Sequence, residues 1–359
     1  TKPMLNTSFG FVPWGDSHHP DISQTNGELD GRWIFINENN TPRIARISLE
    51  TFETEEIIEL PNSAGNHASS FVTENTEYIV AGTRFAVPNP QRDMPISEMK
   101  GQFKGPLSFV SIADNGHLNL EFQLNMPGFN YDLAHPGRNK SHGWFFFTSY
   151  NTEEANTLME VNASQNDKDY IAAVNWKKVV EYVKNGGGKK VAGTYAHNVY
   201  DEKTHTATST MKEGVISVNP SEVEGAVYYI PIPKSPHGCD VDPSGEYIIG
   251  SGKLSTDLSV YSFEKMLTAI ENKDFVDDAY GIPVLSYENT IAGVVKQPGL
   301  GPLHTEFDGQ GNAYTTFFIS SEVVKWKLGT WEILDRQPTF YSVGHLMIPG
   351  GNSRKPFGK

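Results

Sequence analysis

One short pattern returns along this sequence and limits its fold more than any other feature. A turn rich in Gly, Asp, Asn or Ser is followed by an aromatic residue and then by strand-forming residues. Copies lie at residues 30–36, 74–80, 141–147, 244–249 and 311–314. A tight turn before aromatic and β-branched residues is typical of a β-hairpin. The chain is therefore predicted to be all-β and built from similar units.

A histidine stands shortly before each copy of the pattern. These histidines, with one more that begins a sixth unit, are His19, His67, His135, His237, His304 and His345. The intervals between them are 48, 68, 102, 67 and 41 residues, which are compatible with the roughly 40–50 residues of a four-stranded propeller blade if the longer ones contain insertions. We therefore predict a β-propeller with about six blades within these 359 residues, the last one incomplete.

Three stretches depart from the repeat. Residues 170–184 fit a helix that ends at Asn185 and the glycines after it, and residues 263–270 fit a second helix. Both are interpreted as short helical insertions on the propeller surface. Residues 88–106 are rich in Pro and Gly, which predicts a long loop.

Composition and charge exclude several classes of function. The formal net charge of −14 argues against nucleic acid as a partner, because its phosphates need a basic surface. No apolar run approaches the roughly 18 residues that would span a membrane. The single cysteine, Cys239, excludes an internal disulfide and a zinc or iron–sulfur site built from cysteines. The chain begins at Thr1 without a basic and apolar leader, so we expect any targeting signal to have been removed or never included.

The repeated histidines predict a metal site. Equivalent positions of successive blades surround one axis in a propeller, so residues at the start of the innermost strands converge there. The histidines in such positions are His18, His19, His67, His237, His304 and His345. Several imidazoles favour copper or zinc over calcium or magnesium, and their number suggests a cluster. Spacing alone leaves two interpretations open, a polynuclear metal site and a metal-free structural or interaction propeller.

Other candidate residues carry weaker signals. His135 occupies the equivalent slot of the third unit, and the same reasoning would make it a ligand. The histidines in turns or polar loops are expected to be exposed: His117, His142, His197 and His205. Cys239 is expected to be buried and inert. Asp16 or Glu306 could orient an imidazole through its second nitrogen, or could face solvent. The oxygen-rich loop at residues 150–169 could hold calcium.

Three segments make the sequence resemble nitrous oxide reductase, a copper enzyme of denitrification. They are Asp-Ser-His-His-Pro at 16–20, Ser-Pro-His-Gly at 235–238 with Gly-Ser-Gly-Lys-Leu-Ser at 250–255, and the stretch 299–326 that opens with Gly-Leu-Gly-Pro-Leu-His. The resemblance covers essentially the whole chain. It is strongest to the second, atypical branch of the family, which is similar at residues 142–150.

The resemblance implies a seven-bladed propeller with a four-copper sulfide cluster bound by seven histidines. It implies two-electron reduction of N2O to N2 and water at that cluster. Six ligands carry over, and these are His18, His19, His67, His237, His304 and His345. The family's third blade supplies no ligand, so His135 is given no copper role. Residues 1–359 are accordingly expected to be an incomplete N-terminal propeller domain, without the seventh ligand and without the C-terminal cupredoxin domain that holds a dinuclear copper centre. We expect this portion alone to be inactive.

The same resemblance implies further ligands and partners. Calcium ligands carry over as Tyr150, Glu153, Asp167 and the carbonyl near Val161, while Ser235 stands where an asparagine carbonyl is usual. A periplasmic location, a homodimer and an electron-donor protein such as a c-type cytochrome or a cupredoxin are also implied. The alternatives are a metal-free interaction propeller and a mononuclear metal hydrolase.

Overall fold

Strands dominate the chain, as the repeat predicts. The computed structural model describes residues 17, 19–88, 95, 102–152, 169–201, 203–204 and 206–357, except for the side chains of residues 129 and 150–152. The strands of the first half are β1 (Pro20–Thr25), β2 (Glu28–Glu38), β3 (Arg43–Ser48), β4 (Thr54–Glu59), β5 (Tyr78–Gly82), β6 (Val87–Pro88), β7 (Phe103–Ile112), β8 (Leu118–Pro127), β9 (Phe129–Pro136), β10 (Trp144–Thr152) and β11 (Tyr170–Asn175).

The remaining strands continue to residue 338. They are β12 (Lys189–Asp201), β13 (Thr206–Val218), β14 (Val227–Pro231), β15 (Pro236–Val241), β16 (Tyr247–Gly252), β17 (Leu258–Ser262), β18 (Phe275–Ala279), β19 (Ile282–Leu285), β20 (Ile291–Val295), β21 (Pro302–Phe307), β22 (Asn312–Phe317), β23 (Glu322–Lys327) and β24 (Ile333–Pro338). The predicted long loop at residues 88–106 lies largely outside the described residues.

Within the described residues, the strands form five units of four neighbouring strands. The first unit is β1 to β4, and the second is β5, β7, β8 and β13, in which β13 runs parallel to β8. The third is β9, β10, β11 and β14, the fourth is β15, β16, β17 and β20, and the fifth is β21 to β24. The β12–β13 hairpin joins the first two units, because β12 pairs with β4.

Successive units pack face to face. In β10, the fully buried Phe145 and Phe147 lie in one core cluster with residues of the second unit, such as Phe122. Phe146 points to the other side, into a cluster with Cys239 and other residues of the fourth unit. This alternation explains the unbroken aromatic run, because a strand between two sheets has two buried faces. Each buried Phe contributes roughly 2–3 kcal/mol.

The same face-to-face contact continues at both ends of the series. Ile44 of the first unit shares a cluster with Val110 of the second, and Val260 of the fourth shares one with Trp326 of the fifth. Sheets stacked in sequence order around a common centre define an all-β propeller-like fold. The number of blades in a complete molecule stays a prediction.

The repeated turns owe their shape to polar side chains. Asp242 accepts hydrogen bonds from the backbone N–H groups of Ser244 and Tyr247, and Asp308 accepts them from Gln310 and Asn312. In the first unit the hairpin turn is at Asn26–Gly27, where both residues have positive φ. The predicted turn at residues 30–31 is instead an irregular part of β2, so the pattern located the hairpin but displaced its turn.

The part of the chain that the structure describes contains three α-helices, and all of them are short. Helix α1 (Trp176–Lys184), helix α2 (Phe263–Asn272) and helix α3 (Tyr287–Thr290) are accompanied by 3-10 turns at Asn139–Ser141 and Pro220–Glu222. The second predicted helix is confirmed. The first prediction was wrong at its start, because residues 170–175 form β11, which is buried between β10 and β14, and Asn175 caps α1. Among the described residues, no helix is long and apolar enough to cross a membrane.

The segment that follows β24 returns to the first unit. Gln24 donates a hydrogen bond to the carbonyl of Asn352 at 3.0 Å, and the Arg354 guanidinium pairs with Glu74. Buried Arg138 of the third unit donates to the carbonyl of Gly351 at 2.8 Å. These contacts hold His345 and the residues after it over the middle of the molecule.

Candidate metal centre

Five of the predicted histidines meet at the middle of the propeller. They come from different units and are His19 before β1, His67 before β5, His237 in β15, His304 in β21 and His345 after β24. We call them the central histidine set. The sixth, His18, lies outside the described residues.

The five imidazoles form a closed series of neighbours. The Nε2 atoms of His19 and His67 are 3.2 Å apart, and those of His237 and His304 are 2.9 Å apart. Ring centroids lie 5.9 Å apart for His67 and His237, 4.7 Å for His304 and His345, and 5.2 Å for His345 and His19. All are buried except His345, which is exposed.

Two of these histidines lie in irregular positions of the innermost strands. The β15–β16 register shifts between Pro236 and Cys239, and the β21–β22 register shifts between Pro302 and Thr305. Such irregularities redirect a side chain, which here concerns His237 and His304. Strands β15 and β21 also lie very close to each other, since a Cβ on Gly238 of β15 would be 2.2 Å from the carbonyl oxygen of Leu303 of β21. Only glycine fits there, and it lets the two imidazoles meet.

One carboxylate orients two members of the set. The Nδ1 of His237 donates to Asp132 Oδ2 at 2.7 Å, and the Nδ1 of His67 contacts the carbonyl oxygen of Asp132. With its Nδ1 proton engaged in this way, each neutral imidazole presents the Nε2 lone pair to the centre. Carboxylates and carbonyls that fix a tautomer are typical of histidines in metal sites.

Sequence analysis missed Asp132. Its signal was a carboxylate in β9, a strand of otherwise mostly apolar residues, in the one unit that gives no histidine to the set. Asp132 is buried beside the Arg84 guanidinium and the ammonium group of Lys253, whose Nζ is 3.1 Å from Oδ2. Burial opposes its ionisation, yet the contacts with His237, Lys253 and Arg84 hold the pKa of its carboxyl well below the usual range.

Burial also sets the protonation of the histidines. Desolvation lowers the pKa of His67 to about 3, with Arg84 contributing, although Asp132 opposes this. Desolvation and the neighbouring imidazoles hold the pKa of His304 well below its usual range. Both rings are therefore neutral at neutral pH, which is the form that binds metal ions.

A cavity of about 530 Å³ lies beside the set. Apolar residues including Ile22, Leu29, Ile34 and Phe71 line it together with His19, His304 and His345. Three acidic residues also reach it, and burial raises the pKa of Asp21 to about 6, of Asp240 to about 7 and of Glu306 to about 8. The cavity is thus mainly apolar, with carboxyl groups that hold protons more strongly than usual.

His135 does not join the set. Its Nε2 accepts a hydrogen bond from Arg138 at 2.6 Å, and its Nδ1 donates to the carbonyl of Pro136 at 2.8 Å. Its ring stacks on Phe71 instead. Both ring nitrogens of His135 are used in these hydrogen bonds, and its lack of a copper role stays a prediction.

The expectation that the remaining histidines are exposed was partly wrong. His117 is half-exposed, His142 is largely covered beside Glu74 and Glu77, and His197 is buried next to Glu56. His205 lies outside the described residues, as does Asp16. Cys239 is fully buried, as predicted, and burial raises the pKa of its thiol well above the usual value.

The expected calcium ligands cannot be placed together. Glu153, Val161 and Asp167 lie outside the described residues, and so does the side chain of Tyr150. Ser235 is buried with φ +56°, and its backbone N–H donates to Asp169 Oδ2 at 3.0 Å. The calcium site remains a prediction.

The fold and the site together define a β-propeller with a polyhistidine centre. No family model matches the chain. It is 33% identical over 319 residues to the nitrous-oxide reductase of Stutzerimonas stutzeri and 31% identical over 317 residues to that of Pseudomonas fluorescens. It is 29% identical over 353 residues to the nitrous-oxide reductase of Ralstonia nicotianae.

These matches cover 88–92% of the chain but only 44–49% of the relatives. The chain thus spans less than half the length of the curated proteins that it matches. Over that portion it is similar to the nitrous-oxide reductases, and this similarity confirms the resemblance seen in the motifs.

Proposed function

We propose that this chain supplies the histidine-bound copper centre of an enzyme that reduces N2O to N2 and water. The observation that carries the proposal is the convergence of five histidines from four propeller units and the segment after β24. Kinship with nitrous-oxide reductases supports it. His18, adjacent to His19, would be a sixth ligand.

The donor set fits copper. Asp132 engages the Nδ1 atoms of His67 and His237, so their Nε2 lone pairs face the Nε2 atoms of His19 and His304. Lone pairs directed at one point repel unless a cation or a proton lies between them. Desolvation keeps His67 and His304 neutral, so either the N–H proton of a neutral partner or a metal ion can lie between the two Nε2 atoms of a pair, and neutral imidazole is a good ligand for copper. Five or six nitrogens exceed the needs of one tetrahedral ion, which supports a cluster.

The reaction consumes two electrons and two protons as the N–O bond breaks and oxygen leaves as water. Bound copper would supply the electrons and a Lewis-acidic site for N2O. The histidines hold the metal, and Asp132 fixes two of them. The cavity beside His19, His304 and His345 suits N2O, because its lining is mainly apolar and the molecule is small and weakly polar.

The remaining functional features are proposed from the family. Residues 1–359 would be the propeller part of a periplasmic homodimer, and electrons would come from a c-type cytochrome or a cupredoxin. A dinuclear copper centre would lie in a further cupredoxin domain. Calcium would bind near residues 150–169, next to Ser235.

Copper content, visible absorption and N2O uptake with a reduced artificial donor test the proposal on the full-length protein that contains this chain, purified from a copper-replete host. We expect several coppers per chain, and we expect the double substitution of His237 and His304 by Ala to remove them. The single variant His345→Ala should also lose copper. Because His345 is exposed, this loss would not be explained by a failure to fold. The matched control is His135→Gln, which should keep its copper.

Two outcomes would overturn the proposal. Less than one copper per chain, with uptake unaffected in the double variant, would favour a metal-free interaction propeller. A single metal ion per chain that supports hydrolysis of an ester substrate would favour a mononuclear hydrolase.

A further inference from the structure

A second group of metal-ligating side chains lies away from the central histidine set and shares no residue with it. It consists of Glu56 in β4, His117 in the β7–β8 turn and His197 in β12, and we call it the Glu56 cluster. We propose that the Glu56 cluster is a binding site for a divalent transition-metal ion, namely zinc, that fastens the β12–β13 hairpin to the first two propeller units.

The three ligand atoms converge on one point. The Nε2 of His197 is 2.5 Å and the Nδ1 of His117 is 2.9 Å from the same carboxylate oxygen, Glu56 Oε1. The two imidazoles stack with centroids 5.2 Å apart and an interplanar angle of 28°. All three ligand atoms lie within 4.8 Å of one another. Zinc bonds of about 2.0–2.2 Å to nitrogen and oxygen need only a small outward shift of these atoms.

The fold fixes the carboxylate. Glu56 is completely buried, and the N–H of Leu118, the residue after His117, donates to both of its oxygens at 3.0 and 3.1 Å. His197 lies on the same face of the β12–β4 pair, since Val199 is directly opposite Glu56. The site is therefore held by backbone pairing and is not a chance meeting of surface side chains.

The local charge favours a cation. Arg46 contacts the carboxylates of both Glu55 and Glu56, so two negative groups share one guanidinium. Glu56 is completely buried, where electrostatic attraction is stronger than in water. A dication that also accepts the two imidazole nitrogens would be attracted to this carboxylate.

The donors indicate the kind of metal. Two imidazoles and one carboxylate suit zinc, whereas calcium and magnesium prefer sets of oxygen ligands. His117 has a side chain 51% exposed, so a water molecule can complete the coordination from the solvent side. Because the ligands come from β4, from the β7–β8 turn and from β12, the ion would join three separate parts of the chain.

Zinc binding to chelator-treated protein tests the inference, with equilibrium dialysis and anomalous X-ray scattering above the zinc edge as readouts. We expect His117→Ala to bind one zinc fewer than the unaltered protein. The matched control is His142→Ala, which removes an imidazole that also lies beside carboxylates but has no second histidine in its group. It should keep the full stoichiometry. The anomalous signal should lie between Glu56 and the two histidines.

Cobalt gives an independent readout, because its visible absorption reports imidazole ligation. The spectrum should lose one component in His117→Ala and in Glu56→Gln, and added zinc should raise the melting temperature of the unaltered protein more than that of either variant. Equal zinc content in His117→Ala and the unaltered protein, or an absent anomalous signal at Glu56, would overturn the inference and identify a hydrogen-bonded His–Glu–His group. Neither result bears on the central histidine set.

Discussion

The central histidine set and the Glu56 cluster use the same imidazole chemistry in opposite ways. In the central set, a carboxylate stands behind the imidazoles, because Asp132 accepts the Nδ1 proton of His237 and leaves Nε2 for the centre. In the Glu56 cluster, the carboxylate stands between the imidazoles and meets both directly. The first arrangement makes a nitrogen-rich site, and the second makes a small site of mixed nitrogen and carboxylate donors.

The comparison teaches that the position of one carboxylate decides what a group of histidines can hold. A carboxylate in the outer layer raises the basicity of a ligand and fixes its tautomer, whereas a carboxylate in the inner layer occupies a coordination position itself. Three substitutions at or beside these sites test this difference, and a fourth at Asp30 supplies a carboxylate outside both sites for reference, from the largest expected effect to the smallest.

Arg46→Met should have the largest effect on stability. It leaves the buried Glu56 without its guanidinium, and breaking a buried ion pair costs about 3–5 kcal/mol. Urea unfolding without metal should show this loss, and zinc should recover part of it. Arg32→Met is the matched control, since Arg32 also lies over Trp33 but pairs with Asp30 at the surface. It should cost less than about 1 kcal/mol. Equal losses would show that Arg46 does not serve a buried charge.

Asp132→Asn should weaken copper binding at the central set about 10- to 100-fold, the usual cost of losing an outer-layer partner. An amide cannot balance Arg84 and Lys253, and it accepts the His237 proton less strongly. Competition titration against a copper chelator measures the affinity. The control, Asp308→Asn, alters a buried carboxylate that only shapes a turn. Zinc binding at the Glu56 cluster should not change in Asp132→Asn. Unchanged copper affinity would show that a carboxylate behind the imidazoles does not affect metal binding at the central set.

Gly116→Ala should disturb only the Glu56 cluster. Gly116 has φ +86°, and an added Cβ would lie 2.6 Å from Arg46 Nη1 and 2.7 Å from the Trp33 ring. We expect a loss of about 1–2 kcal/mol and weaker zinc binding, because the turn that carries His117 must move. Gly31→Ala has the same strained backbone with nothing within 4 Å, so it isolates the backbone cost. If both variants bind zinc alike, the turn does not position His117.

Asp30→Asn should have the smallest effect, which should be present at neutral pH and disappear in acid. Burial raises the pKa of Asp30, but bonds from Arg32, Ser23 and Thr25 outweigh burial and lower it to about 2, below the ordinary value of 3.8. Its stabilising effect is therefore complete above pH 4 and lost as the pH falls from about 4 to 2. Because the group is partly exposed, the difference should stay under about 1 kcal/mol. The difference in melting temperature between Asp30→Asn and the unaltered protein should be smaller at pH 3 than at pH 7. The same difference at both pH values would contradict the lowered pKa of Asp30.

The sequence allowed the propeller-like fold and the meeting of His237 with His304 to be predicted, because both depend on a repeat. The role of Asp132 could not be predicted from the sequence, because it depends on packing between units and follows no repeat. His197 was misjudged as exposed for a similar reason, since its burial comes from the pairing of β12 with β4, far apart in sequence. Residues 170–175 were predicted as helix because a continuous buried run fits either state, and only the neighbouring strands decide between them.

The contacts of the last segment with the first unit have a consequence for the order of events during folding. Gln24 and Asn352, which join those parts, are 328 positions apart, so this hydrogen bond closes nearly the whole chain. Contacts between distant positions form late, because the entropy of the intervening chain opposes them. His19 and His345 become neighbours only at that closure. The five described members of the central set therefore come together only after this closure, and we expect a metal ion that needs all five to bind after it and not before.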